Sequence, residues 1–185
     1  MNDALKNKVR NSIHFNSERK HNDVNCYAFA VGIDLPEKDI CDYAFDPGQI
    51  GTYINYFDNF RNYQNMCAYM HSKSVQDRFG YDMDTLGIEV SEADEEDMSE
   101  YFDEEGYYNW LFAMYSLKPR LFVPSDVHCL RKTKDGIWVH KLGRDGLPSM
   151  VDPNGNLLTA LPEELAYSKK RVYTNPSVYR LRMKR

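Results

Sequence analysis

Nowhere in this 185-residue chain does an apolar run approach the roughly 20 residues that a membrane-spanning helix needs. The opening MNDALKNKVRNSIHF is charged and amide-rich, without the apolar centre and small-residue cleavage site of a secretory signal. A cytoplasmic protein with no membrane contact is therefore expected. Four cysteines, Cys26, Cys41, Cys67 and Cys129, include no C-x-x-C pair. That spacing argues against a structural zinc centre, and neither a metal nor another cofactor is expected. A disulfide framework is not expected in a mid-sized cytosolic protein, which leaves the thiols free. The chain has no internal repeat and no low-complexity tract beyond one acid-rich block. Lys and Arg are missing between Arg78 and Lys118, and Asp and Glu are missing from Lys169 to Arg185.

What the chain does hold is enough for a core: 42% of residues are hydrophobic and 14 are tyrosine, so wholesale disorder is excluded and one domain is expected. The charge is unevenly placed. Asp82 to Glu105 carries 12 acids, and Lys169 to Arg185 carries 7 basic residues. Such blocks read first as a solvated face and a tail. Their alternative use is recognition, the acidic block meeting a basic protein partner. The net charge of −5 argues against a dedicated nucleic-acid-binding domain.

Hydrophobic periodicity divides the chain into helices first and strands second. Leu5, Val9 and Ile13 recur at helical spacing over 3–14. A polar loop then runs into CYAFAVGI, a short helix for which Asn22 or Asp23 is the expected cap and Gly32 the stop. Pro47–Gly48 marks a turn, and the aromatic-rich stretch 52–79 predicts one or two helices. The acidic segment reads as an exposed insertion at about 82–106. Beyond it NWLFAMYSL (109–117) predicts a buried strand. Residues 126–133 and 137–142 flank Lys134–Asp135–Gly136 as a β-hairpin, and 177–183 alternate as a last strand. This order defines an α+β fold, helices packed on an antiparallel sheet.

Cys26 falls where a loop becomes a helix, a position whose backbone amides stabilise a thiolate. A thiol nucleophile needs a base, and the hairpin carries two imidazoles, His128 and His140. Taken singly, Cys26 reads as a buried structural thiol and each histidine as an ordinary hairpin side chain; their ordered combination points to catalysis. Hairpin geometry supplies a test. A two-residue turn would set the two histidines on opposite faces, whereas an odd loop would align them. Trp138 and Leu142 share the His140 face, which is therefore the expected inner one.

The order of parts, NCYAFAVG followed by DVHCLRKTKDGIWVHKLG, resembles the papain-like cysteine-hydrolase superfamily, and its Cys–His–His spacing is similar to that of NlpC-type peptidases. PGQIG lies where those enzymes carry a Pro-Gly-Asp turn. It is also similar to uncharacterised bacterial and phage proteins with an N-C-Y segment and a later H-x-x-R…G-x-W-x-H-K segment, matched here by His128, Arg131, Gly136, Trp138, His140 and Lys141. These motifs span about a quarter of the chain, and residues 52–105 match nothing in them. The resemblance implies a papain-like domain with Cys26 as nucleophile and His128 or His140 as base. A second alignment pairs His140 with Asp152 of VDPNG as orienter. Asn22, Asn25 and Trp138 are the candidates for oxyanion and substrate contacts. The implied activity is a cysteine peptidase or amidase cleaving an amide or isopeptide bond in a peptide or protein, with acyl transfer and deamidation within the same chemistry. The alternative is a non-catalytic module on the same scaffold that engages a protein through its acidic segment.

Overall fold

The computed structural model describes residues 2–13, 24–33, 45–57, 59–95, 105–119, 126–143 and 146–185. Within them the chain forms five helices and then one antiparallel sheet of seven strands, an α+β architecture. Among the described residues, no helix is long and apolar enough to cross a membrane.

Helix α1 (Asp3–Asn11) is capped by the Asn2 side chain, which accepts from the Leu5 amide. Helix α2 (Cys26–Val31) is capped in the same way, but by Asn25, whose side chain accepts from the Ala28 amide. The expected caps Asn22 and Asp23 lie outside the described residues. Gly32 ends α2 at φ 91°, a left-handed conformation that glycine adopts without a Cβ penalty. The aromatic stretch holds parts of three helices rather than one or two: α3 (Gln49–Tyr56), α4 (Phe60–His71) and α5 (Val75–Leu86). Asn59 and Ser74 supply side-chain caps that restart the helix twice.

The strands are β1 (Glu89–Glu92), β2 (Tyr107–Leu117), β3 (Val127–Lys132), β4 (Trp138–Lys141), β5 (Pro148–Ser149), β6 (Glu164–Ser168) and β7 (Arg171–Lys184). Their order across the sheet is β1-β7-β2-β3-β4-β5, with β6 also pairing with β7. Strand β7 begins earlier than the alternation of 177–183 suggests. Asn175 at φ 55° and Pro176 interrupt it where its register against β2 shifts, and a bulge is a place where a strand tolerates proline.

Alternation along the strands divides the buried side chains between two faces. One core joins α1, α2, α3 and α5 to Trp110, Phe112, Met114, Cys129, Val139, Leu181 and Met183 of the sheet. Phe79 stacks on Phe112 there, with centroids 4.9 Å apart. The other face carries Leu111, Ala113, Tyr115, Leu130, Trp138 and Tyr173, covered by Leu158 and Leu165. Both sheet faces are thus buried over β2 and β3, which is why NWLFAMYSL reads as a continuous apolar run.

The segment expected as an acidic insertion is, where described, part of this fabric. Asp82 to Leu86 complete α5, with Asp82 fully buried. Glu89–Glu92 pair with β7 in the register Glu89↔Arg182 and Ser91↔Arg180. Glu95 accepts from the Trp138 indole at 3.0 Å and from the Leu161 amide at 2.5 Å. Residues 96–104 lie outside the described residues.

Candidate active site

Cys26 is the first residue of α2, and two sets of contacts hold that helix, one to the sheet and one to the neighbouring helices. At its C-terminal end Arg131 donates to the Phe29 carbonyl at 3.0 Å, and the Trp110 indole donates to the Ala30 carbonyl at 3.2 Å. The Arg131 guanidinium also lies 4.1 Å from the Phe29 ring centroid. Burial brings its pKa down to about 10, which leaves it cationic at neutral pH and suited to a helix C-terminus. On the other side Tyr27, next to the thiol, donates to Asp82 Oδ2 at 2.8 Å. Asp82 also accepts from the amides of Gly48 and Gly51, each at 2.7 Å. One buried carboxyl therefore caps α3, whose own N-cap residue Gly48 has no side chain for the task, and ties it to α2.

The hairpin settles which face each imidazole takes. The Gly136 amide donates to the Thr133 carbonyl, Gly136 adopts φ 80°, and the Thr133 amide donates to Ile137 O. This is a three-residue loop, a turn closed by a left-handed glycine. The register that follows, Leu130↔His140 and Lys132↔Trp138, places His128 and His140 on the same face. Both are buried, 3% and 1% exposed, and His128 Nε2 lies 3.1 Å from His140 Nδ1.

Tyr167, on β6, completes a triangle. Its hydroxyl is 3.0 Å from His128 Nε2 and 3.1 Å from His140 Nδ1. The protons can be assigned from the outer partner. His140 Nε2 is 2.9 Å from the Val151 carbonyl, which can only accept, so Nε2 carries a hydrogen. Burial holds the pKa of His140 down at about 4, so at neutral pH the ring is uncharged and Nδ1 is an acceptor. His128 Nε2–H and the Tyr167 hydroxyl are the donors beside it. Tyr167 remains a phenol, its pKa raised by burial and then by the negative charge of Cys26.

Alternation along β3 turns His128 away from the face on which α2 lies, and the strand edge beside it is open. Strand β4 pairs with Leu130–Lys132 and stops short of Val127 and His128. At this gap Cys26 Sγ lies 3.8 Å from the Val127 carbonyl. The thiol is held well below its usual pKa. A hydrogen bond from Cys129 contributes most, and hydrogen bonding and charge from His128 add to it, against the cost of burial. Cys129 itself is pushed well above the usual value by burial and by the neighbouring Cys26. The negative charge therefore settles on Cys26, the half-exposed member of the pair at a helix N-terminus. Because His128 Nε2 faces His140 and Tyr167, Nδ1 is the nitrogen left for the thiol.

Three expected site residues take other roles. Asp152 is half-buried and accepts from the Asn154 and Asn156 amides and the Asn156 side chain, so its carboxylate closes its own turn. The acceptor on His140 is the Val151 carbonyl next to it. Trp138 is fully buried in the second core with its indole N–H on Glu95, so it has no face to offer a substrate. Asn25 spends its side-chain oxygen on the Ala28 amide and its N–H on Asp46 at 3.3 Å. Asn22 lies outside the described residues. Leu142 shares the His140 side but is 48% exposed, because β4 has ended. The residues that sequence reasoning missed are Tyr167 and Cys129. Tyr167 had no motif around it, and Cys129 stood in plain view as the neighbour of His128.

Comparison of the chain with family models, curated proteins and solved structures finds no match to any of them.

Proposed function

We propose that the chain is a cysteine-dependent hydrolase with a papain-like arrangement, acting on an amide or isopeptide bond of a peptide or protein. The observation that carries this reading is the convergence at one gap in the sheet. A low-pKa thiol heads a helix beside His128, whose other ring nitrogen lies 3.1 Å from a second, neutral imidazole. Cys26 thiolate attacks the carbonyl carbon, and the backbone N–H of Cys26 is the donor placed to meet the oxyanion, an effect of roughly 3–4 kcal/mol. His128, protonated at Nδ1, delivers that proton to the leaving amine and then removes one from the water that resolves the acyl-enzyme. His140 and Tyr167 hold the ring and accept its Nε2–H while it is charged. An amine in place of water would give acyl transfer, and a primary amide substrate would give deamidation.

The test is a panel of peptidyl and isopeptide amides with a reporter amine, followed by mass spectrometry of the intact protein during turnover. The expected result is a transient acyl group on Cys26, no turnover by Cys26→Ala, and a fall of at least a hundredfold in His128→Ala with the fold retained. Turnover by Cys26→Ala, or an acyl group on another residue, overturns the reading.

A further inference from the structure

The hydrolytic scheme uses one thiol, yet the structure places two together. Cys129 follows His128 on β3, and alternation turns it toward the core that α2 covers. It is completely buried, and each thiol shifts the other, Cys26 downward and Cys129 upward. Cys26 is partly exposed, whereas Cys129 has no exposed surface. The Cys26 sulfur is also 3.8 Å from the carbonyl of Val127, two residues before Cys129 on the same strand.

We infer that Cys26 and Cys129 form a reversible oxidation site whose oxidant is a hydroperoxide, with Cys26 reacting first and Cys129 resolving. The Cys26 thiolate attacks one oxygen of hydrogen peroxide; the O–O bond breaks, a sulfenic acid forms on Cys26, and hydroxide leaves and takes up a proton as water. The Cys129 sulfur then attacks the Cys26 sulfur. The S–S bond forms, the S–OH bond breaks, and the hydroxyl departs with the Cys129 proton as a second water. Two thiols and one peroxide thus give one disulfide and two waters, and a dithiol reductant reverses the change. The order follows from access: peroxide meets the partly exposed Cys26, and the buried Cys129 sits on the strand whose Val127 carbonyl lies 3.8 Å from the Cys26 sulfur. The disulfide would silence the nucleophile, a consequence that rests on the hydrolase reading; the bond itself does not.

The experiment uses the full chain, treated with a few equivalents of hydrogen peroxide at neutral pH, alkylated, digested without reduction and analysed by mass spectrometry. The expected product is the pair of peptides joined through Cys26 and Cys129, returned to two thiols by dithiothreitol. In Cys129→Ser, and in Cys129→Ala as a second variant, Cys26 instead accumulates sulfinic and sulfonic acids that the reductant does not reverse. A wild-type product with Cys26 oxidised and Cys129 still a free thiol overturns the inference. So does a bond from Cys26 to Cys41 or Cys67. The readout is the bond, so failure here leaves the hydrolase reading standing, and absence of amide turnover leaves this one standing.

Discussion

Tyr167 is the residue whose role is clearest from geometry and least visible in the sequence. Cys26, His128 and His140 stand in motifs whose order suggests a nucleophile and its bases, and the loop Lys134–Asp135–Gly136 decides that the two histidines share a face. Nothing in ELAYSKK marks a tyrosine that reaches across 27 residues to His140. Its hydroxyl can accept from His128 Nε2–H while donating to His140 Nδ1, which fixes the His128 ring with Nδ1 left for the thiol. Tyr167→Phe is therefore expected to raise the pH at which Cys26 becomes a thiolate by roughly 0.5–1 unit, the equivalent of one hydrogen bond. The pH dependence of Cys26 alkylation measures this. A substitution that lowered stability and left the profile unmoved would make Tyr167 a packing residue only. Asp152 shows the converse error: a carboxylate near a histidine in sequence does not orient it when its own turn supplies three donors.

Helix α2 is too short to hold itself in place, and long-range contacts fix the thiol's position. Its start and stop were legible, the start from the loop-to-apolar transition at Cys26 and the stop from Gly32. Its docking was not, because Asp82, Arg131 and Trp110 are distant in sequence and Asp82 sits in what reads as a solvated acidic run. Burial raises the Asp82 carboxyl from 3.8 to about 7 against the pull of its three donors. Between those values the folded state binds more protons than the unfolded one, so stability falls as pH rises through this window and levels off above it. The contribution is on the order of 4 kcal/mol. Asp82→Asn loses an acceptor, at a cost of about 1–3 kcal/mol, but does not titrate. The variant is thus expected to be less stable than wild type near pH 4, to gain on it up to about pH 7 and to hold a constant difference above that. Urea unfolding of both proteins across that range checks the sign, and a gap that stays constant throughout the rising window would contradict it.

At the scale of the whole molecule the two charge blocks partly answer each other. Arg182 on β7 meets Glu89 on β1 at 2.8 Å, and Arg180 stands opposite Ser91 in the same pairing. Such an exposed pair is worth only about 0.2–1 kcal/mol, but it turns part of an apparent recognition element inward to the same chain. The sequence displays a block's composition and not its neighbours, so β1 was invisible and Glu95 looked like one acid among many. Glu95 in fact closes the second core, accepting from Trp138 and Leu161 while its carbonyl takes the Lys132 ammonium at 2.9 Å. Glu95→Ala strands two donors and is expected to cost about 2–4 kcal/mol, whereas Asp94→Asn at the exposed neighbouring position stays within about 0.5 kcal/mol. Thermal melts of the two variants separate these values, and equal melting temperatures would return the segment to solvent.

All three scales meet in the reactivity of one sulfur, and its rate of alkylation against pH is the most direct test of the account. The protein is exposed to iodoacetamide from pH 5 to 10, and each cysteine is followed by mass spectrometry. Cys26 is predicted to react as a thiolate well below the pH that Cys67 and Cys129 need, because both of those thiols are raised by burial. His128→Ala is predicted to move the Cys26 curve upward. A Cys26 curve that coincides with that of Cys67, or one that His128→Ala leaves in place, would contradict the assignment of Cys26 as the nucleophile.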